Sequence, residues 1–342
     1  MLRGSTKRSN THIGSSQSTE PRTQTKDHKF NRAVWALGSG FSILRQLSTW
    51  VCVLGSVIWA LFFAPRVWAY SLLPLATEDP VPIPSGITQV SLGLTYTRNG
   101  TFPFFTPADS LDYQNLLEVP QLAIRVGAGD WVEILAIYEL IYLDERMVNG
   151  DTTNNYGSGD ARIFTKVRLL QEGQTLPAFS LRFGAKLPNA NGEKHLGTDE
   201  TDFAGEILAS KQFGPVNLLT NFGLVLMGVP PNASDDTSEG QDDLVSYSVA
   251  AVWPWQDHAE SDRIRLALLG EVAGLAGSRF GNDRAAIRIG LQGTQGAGTI
   301  YLGISTGLIS ESEQIGVNAG FTYTFDLATW FQQSTEPRQS PD

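Results

Sequence analysis

From Gly86 onward, apolar and polar residues alternate along the chain. In TQVSLGLTYT (88–97), Val90, Leu92, Leu94 and Tyr96 stand against Gln89, Ser91, Gly93 and Thr95. VSYSVAAVW (245–253) places Val245, Tyr247, Val249, Ala251 and Trp253 on one face. RIRLALLGEV (263–272) opposes Ile264, Leu266 and Leu268 to Arg263, Arg265 and Ala267. QIGVNAGFTYTF (314–325) sets Ile315, Val317, Ala319, Phe321, Tyr323 and Phe325 against Gly, Asn and Thr. A period of two is the mark of a strand between two environments. The runs predict twelve strands, over 86–98, 118–127, 131–144, 160–171, 177–188, 202–213, 215–228, 243–254, 262–273, 283–293, 299–309 and 314–325. No amphipathic helix pattern falls among them.

The connections alternate too. AGD (128–130), EGQTLP (172–177), FGP (213–215) and GTQGAG (293–298) are tight, and 254–262 is only moderately longer. The other set is mostly long: 99–117, 145–159, 189–201, 229–242 and 274–282. Short turns at one end and long loops at the other are the plan of a transmembrane antiparallel up-and-down β-barrel. Strands of about eleven residues suit a tilted crossing of the bilayer. An even count returns both termini to the periplasmic side.

Charge placement supports the same plan. The faces opposite the apolar ones carry Arg125, Arg162, Lys166, Arg168, Arg182 and Lys186, then Arg263, Arg265, Arg284 and Arg288. Glu133, Glu139, Glu206 and Glu271 share that side. A charge facing lipid near the midplane costs about 2–4 kcal/mol, so these side chains are expected to line a polar lumen and any solute path through it. The rival all-β plan, a soluble sandwich, turns its arginines to water. The asymmetry of the loops, and aromatic residues near strand ends such as Trp253, Trp255, Tyr323 and Phe325, favour the barrel, because such rings form girdles at membrane interfaces.

Ahead of the barrel, residues 1–46 are polar, basic and without apolar periodicity, the composition of a disordered leader. An uncharged apolar run then spans Ser48–Pro65, followed by RVWAY, where Val67 and Ala69 fit the small-residue pattern before a cut after Ala69. Residues 1–69 are therefore expected to be a leader plus secretory signal, with an uncleaved helix as the alternative. Residues 70–85 read as a Pro-rich periplasmic spacer, 86–325 as the barrel, and 326–342 as a tail. The leader holds nine Lys/Arg against two Asp/Glu, and the rest 16 against 33. So acidic a body argues against nucleic acid as a partner. The single cysteine, Cys52, excludes a disulfide scaffold and any multi-cysteine metal site.

Two stretches carry a family likeness: GSGDARIFTKVRLLQEG (157–173) and PAFSLRFGAKLPNANGEKHLGTDETDFAGEILASKQFGPVNLLTNFGLVLMG (177–228). The elements are G-x-G-D opening a strand, R-x-G-x-K-L-P, the G-T-x-x-T-D-F loop end and the A-S-K turn. Together they resemble the outer-membrane family labelled putative transporters of the meta-pathway of phenol degradation. The strand ending at Phe325 is similar to the terminal aromatic signal read by the barrel-insertion machinery, although 17 residues follow it here. The resemblance implies passage of small, often aromatic, organic solutes and defines no catalytic residues.

Local chemistry adds little. His195 alone among the histidines lies near carboxylates, but no strand pairs it with a serine as a hydrolase requires. Asp235, Asp236, Asp242 and Asp243 could offer oxygen ligands to calcium, without EF-hand spacing. The run 185–203 reads as a strand end with Lys186 toward the lumen, then a solvated external loop holding His195. The expectation is a bacterial outer-membrane channel that passes small organic, and by its basic wall anionic, solutes by diffusion. It needs no cofactor, and its partners are membrane lipid, the insertion machinery and the solutes. The alternative is an envelope barrel with a closed, salt-bridged lumen.

Overall fold

The computed structural model describes residues 73, 75–98, 111–147, 150–228, 243–255, 264–277, 283–310 and 312–327. The leader and signal segment, the tail from 328 onward, and Arg263, Asp235, Asp236 and Asp242 lie outside the described residues. Thirteen strands form one antiparallel sheet: β1 (Ile87–Arg98), β2 (Leu111–Gly129), β3 (Val132–Met147), β4 (Thr152–Ser158), β5 (Ala161–Leu170), β6 (Ala178–Leu187), β7 (Asp202–Phe213), β8 (Val216–Leu226), β9 (Leu244–Pro254), β10 (Arg265–Gly277), β11 (Arg284–Gln295), β12 (Gly298–Gly307) and β13 (Ile315–Asp326). Each strand pairs with its neighbours, and β1 joins β13 from Ile87↔Asp326 to Arg98↔Ile315. The sheet therefore closes into a barrel, the condition for spanning a membrane with strands, and among the described strands β4 alone is paired on one side, with β3.

The wall has twelve crossings, because β4 and β5 are halves of one. β4 pairs with Leu140–Arg146 of β3, and β5 with Val132–Ile137. The break falls at Gly159–Asp160, where Asp160 Oδ1 instead accepts from the backbone N–H groups of Asn189 and Ala190. Strand existence follows the alternation closely, with two departures. β2 begins at Leu111 and β3 reaches Met147, and β4 occupies part of the stretch read as a loop. TTNNYGS (152–158) is polar apart from Tyr156 and Gly157, and the inward face of β2 mixes Leu116 with Gln114 and Glu118, so neither shows a clear contrast between its faces.

The outward face is apolar. Ile134, Phe183, Ile207, Leu224, Val249 and Ile300 are all exposed there, the belt that lipid tails require. At the short-turn end Trp131, Phe213, Trp253 and Trp255 are exposed, and Tyr323 and Phe325 stack at 5.8 Å. Toward the long-loop end Tyr96, Tyr142, Tyr156 and Phe203 project outward. Two aromatic girdles thus bracket an apolar band, as in bacterial outer-membrane barrels.

The inward face departs from the simple rule. It carries charge, but also two groups of buried apolar side chains: Leu219, Ala250, Val252, Ala267 and Leu269 low on β8–β10, and Leu116, Ile141 and Leu143 high on β2–β3. Two segments outside the strands cover them. Leu75 packs on the first group, and Ala190 and Leu196 on the second. The segment read as a spacer therefore does not stand clear of the barrel. Residues 75–85 lie against its inner wall, and Gly127 lacks a Cβ where Ile83 and Pro84 pass, since one built there would meet Pro84 O at 2.0 Å. The 188–201 loop likewise folds inward rather than standing in solvent. Leu196 retains 2% of its exposure because three inward-facing aliphatic side chains would otherwise meet water.

Candidate solute path

At the periplasmic end the wall holds the incoming segment through its backbone. Glu271 accepts from Ala76 N at 2.9 Å, Thr77 N at 2.8 Å and Thr77 Oγ1 at 2.7 Å. Glu133 accepts from Ile83 N at 2.9 Å, and Ser180 donates to Pro80 O. Turned to the orientation that satisfies both ends, the Asn221 amide bonds Glu78 N at 2.8 Å and Glu78 O at 3.1 Å. A segment with three prolines in eleven residues has few donors of its own, and the wall supplies partners for those that remain.

Glu78 is the hub. Its carboxylate meets Arg125 at 2.5 Å, Arg182 at 3.2 Å and Lys166 at 3.8 Å. Arg125 and Lys166 also bond Glu133, at 2.9 and 3.1 Å, and Arg182 bonds Glu206. Arg125 on β2, Lys166 on β5 and Arg182 on β6 converge there because all three sit at inward register positions. Higher up, Arg162 meets Glu139 at 2.5 Å, and Gln121 donates to the same oxygen at 3.2 Å. Lys186 lies between Asp202 at 2.6 Å and Asp160 at 3.4 Å and donates to Thr198 of the loop. On the far wall Arg288 pairs with Glu271.

These side chains sit at inward register positions, with acids beside them. Arg125, Arg162, Lys166, Arg182, Lys186 and Arg288 each have an acidic partner, several of them supplied by Glu78, Asp160 and Asp202, which the strand pattern did not single out. A basic wall with its charges matched concentrates anions weakly. Arg168 lies at the periplasmic rim, donating to Asp130 O and resting 4.8 Å from the Trp131 ring. Arg265 and Arg284 occupy inward positions on β10 and β11. Among the described residues no group of three or more His, Cys, Asp or Glu could hold a metal ion. Asp243 Oδ1 accepts instead from Met227 N.

The lumen is lopsided. β2–β7 carry the large side chains and the inward loop. The opposite wall, over the extracellular half of β10–β13 and β1, presents mostly small ones, Ala273, Ala286, Ser305, Asn318 and Thr95, with Gly93 and Gly320, beside the larger Arg284. Tyr301 lies across those two glycines, and a Cβ on either would meet its hydroxyl at 2.4 and 2.3 Å.

A closed strand wall with an apolar belt, two aromatic girdles and a charged interior defines a bacterial outer-membrane β-barrel. Comparison with solved structures agrees on the fold. An outer-membrane channel from Pseudomonas putida F1 is similar with a TM-score of 0.51 at 12% identity, over 73% of this chain and 100% of that one. The transport unit of the autotransporter AIDA-I from Escherichia coli gives a TM-score of 0.44 at 10% identity, over 79% and 98%. No family model and no curated protein matches the chain.

Proposed function

We propose that the protein is a passive channel for small organic solutes, entered from outside along the small-residue wall of β10–β13 and β1. The observation that carries this reading is the lopsided lining, with small side chains over much of one wall and packed apolar and charged groups on the other. The fold it shares with the Pseudomonas putida channel supports it, and the motifs over 157–228 favour organic solutes of the kind their family label names. The paired wall charges favour neutral solutes over anions, a shift from what the count of basic residues alone suggests. An enzyme is disfavoured, since His195 bonds Glu145 and no hydroxyl or thiol is hydrogen-bonded to the imidazole among the described residues.

A second reading keeps one specific observation, the segment 75–85 held across the periplasmic end. On that reading the barrel conducts nothing and serves the envelope structurally. Planar-bilayer recording of the folded protein separates the two. The channel predicts small, reproducible currents with a reversal potential near zero in a salt gradient, because no net wall charge selects an ion. Silence in every salt, together with no solute-driven swelling of proteoliposomes, would establish the structural reading.

A further inference from the structure

The 188–201 loop is fastened to the wall at several points, and one of them is a histidine. Asp160 takes the N–H groups of Asn189 and Ala190, and Leu196 fills the apolar hollow of Leu116, Ile141 and Leu143. A further fastening is His195, whose Nδ1 lies 2.9 Å from Glu145 Oε2. We propose that His195 and Glu145 form a proton-operated latch that holds this loop shut against the extracellular half of the lumen in acid and frees it in alkali.

Glu145 makes the pair unusual. Its residue is fully buried, at 0% exposure, on the inward face of β3. Oε2 has His195 and a long bond from Thr153 Oγ1 at 3.4 Å, and Oε1 has no hydrogen-bond partner. Gln114, opposite it in the β2–β3 register, is also buried, with both amide ends unpartnered. The remaining charged groups nearby are Asp144 and Arg146, on the other face of β3, Asp151 before β4, and Glu193, Lys194 and Asp199 on the loop. Among the described residues His195 is the one cation bonded to the Glu145 carboxylate. A buried carboxylate without a partner is strongly disfavoured, so a charged imidazole keeps the closed loop in place and a neutral one does not.

The backbone transmits this. His195 sits in the left-handed region at φ 55°, capping the short 192–194 turn, and Leu196 follows it directly. Lifting the imidazole draws out the side chain that plugs the hollow. The hydrogen bond to Glu145 raises the His195 pKa above its ordinary value, and partial burial only partly offsets this. A raised histidine pKa stabilises the closed form fully below the free value of about 6.5 and loses that contribution as pH climbs through the bound value.

The test is accessibility, which does not depend on transport. Leu143, at 0% exposure under the loop, is replaced by cysteine in a Cys52→Ser background of the full chain, and its labelling by a membrane-impermeant maleimide is compared with the reagent's intrinsic pH profile. The corrected rate is expected to rise about tenfold from pH 5 to pH 9. Glu145→Gln should make it slow and independent of pH, and His195→Lys, cationic throughout, should keep it slow at pH 9. A flat profile in the parent, or the parent's rise persisting in His195→Lys, overturns the latch. If Leu143→Cys does not fold, tryptic cleavage after exposed Lys194 in the unsubstituted protein, corrected by a free peptide, reads the same opening. A cleavage rate that does not increase with pH overturns it equally.

Discussion

Replacing Glu78 by alanine should convert a nearly unselective, small conductance into a larger, anion-preferring one. Glu78 is bonded to three cations on three strands, and its own backbone is held by Asn221. After substitution Arg125 and Lys166 still share Glu133, and Arg182 keeps Glu206, so the cluster gains one uncompensated positive charge inside the lumen. Removing one member of a buried ionic cluster costs about 3–5 kcal/mol, chiefly because its partners stay behind. Part of that is relieved if segment 75–85 leaves the wall, which widens the periplasmic end. Single-channel recording is therefore expected to show a conductance increase of about twofold or more and a reversal potential moved toward that of chloride. Glu271→Gln should enlarge the current by the same release, since Glu271 holds Ala76 and Thr77, but it also frees Arg288. Unchanged conductance and selectivity in Glu78→Ala would show that the segment does not limit the current.

Far more of the wall than of its contents is legible in the sequence. Alternation locates strands because each faces lipid on one side, and a lipid face tolerates only apolar residues. The limits of β7 are the same in both, and those of β6 and β9 differ by one residue. The lumen obeys no such rule, since it can be filled by polar groups, water or another part of the chain. The signal was nevertheless present. Leu219, Val252 and Leu269 fall on the face that carries Glu271, and Leu116, Ile141 and Leu143 on the face that carries Glu139. Aliphatic residues on a polar face imply something to cover them, and Leu75 and Leu196 are the apolar side chains that do so. What alternation cannot give is which cation meets which acid, because Glu78 lies about 50 residues from its nearest strand partner in sequence.

Charge pairing also explains why Lys186→Met should detach the extracellular loop more strongly than any change at His195. Lys186, at 5% exposure, separates Asp202 and Asp160, which are 1% and 7% exposed, and reaches Thr198 on the loop. A methionine of similar length leaves two buried carboxylates facing each other. Asp160 also receives the N–H groups of Asn189 and Ala190, so any movement that hydrates it releases the start of the loop. At about 3–5 kcal/mol for an orphaned buried charge, tryptic cleavage after Lys194 should accelerate about a hundredfold or more. Adding Asp202→Asn should recover much of the loss, because one of the two facing charges disappears. Leu196→Ala, which empties the hollow on Leu116, Ile141 and Leu143, is expected to cost about 2–5 kcal/mol by cavity formation, and its effect should add to that of Lys186→Met only in part, since both act on the same closed form. The acceleration in Lys186→Met should persist at pH 5, where a histidine latch is fully engaged. Cleavage at the parental rate in Lys186→Met would mean that the carboxylates are tolerated without the lysine and that apolar contacts alone hold the loop down.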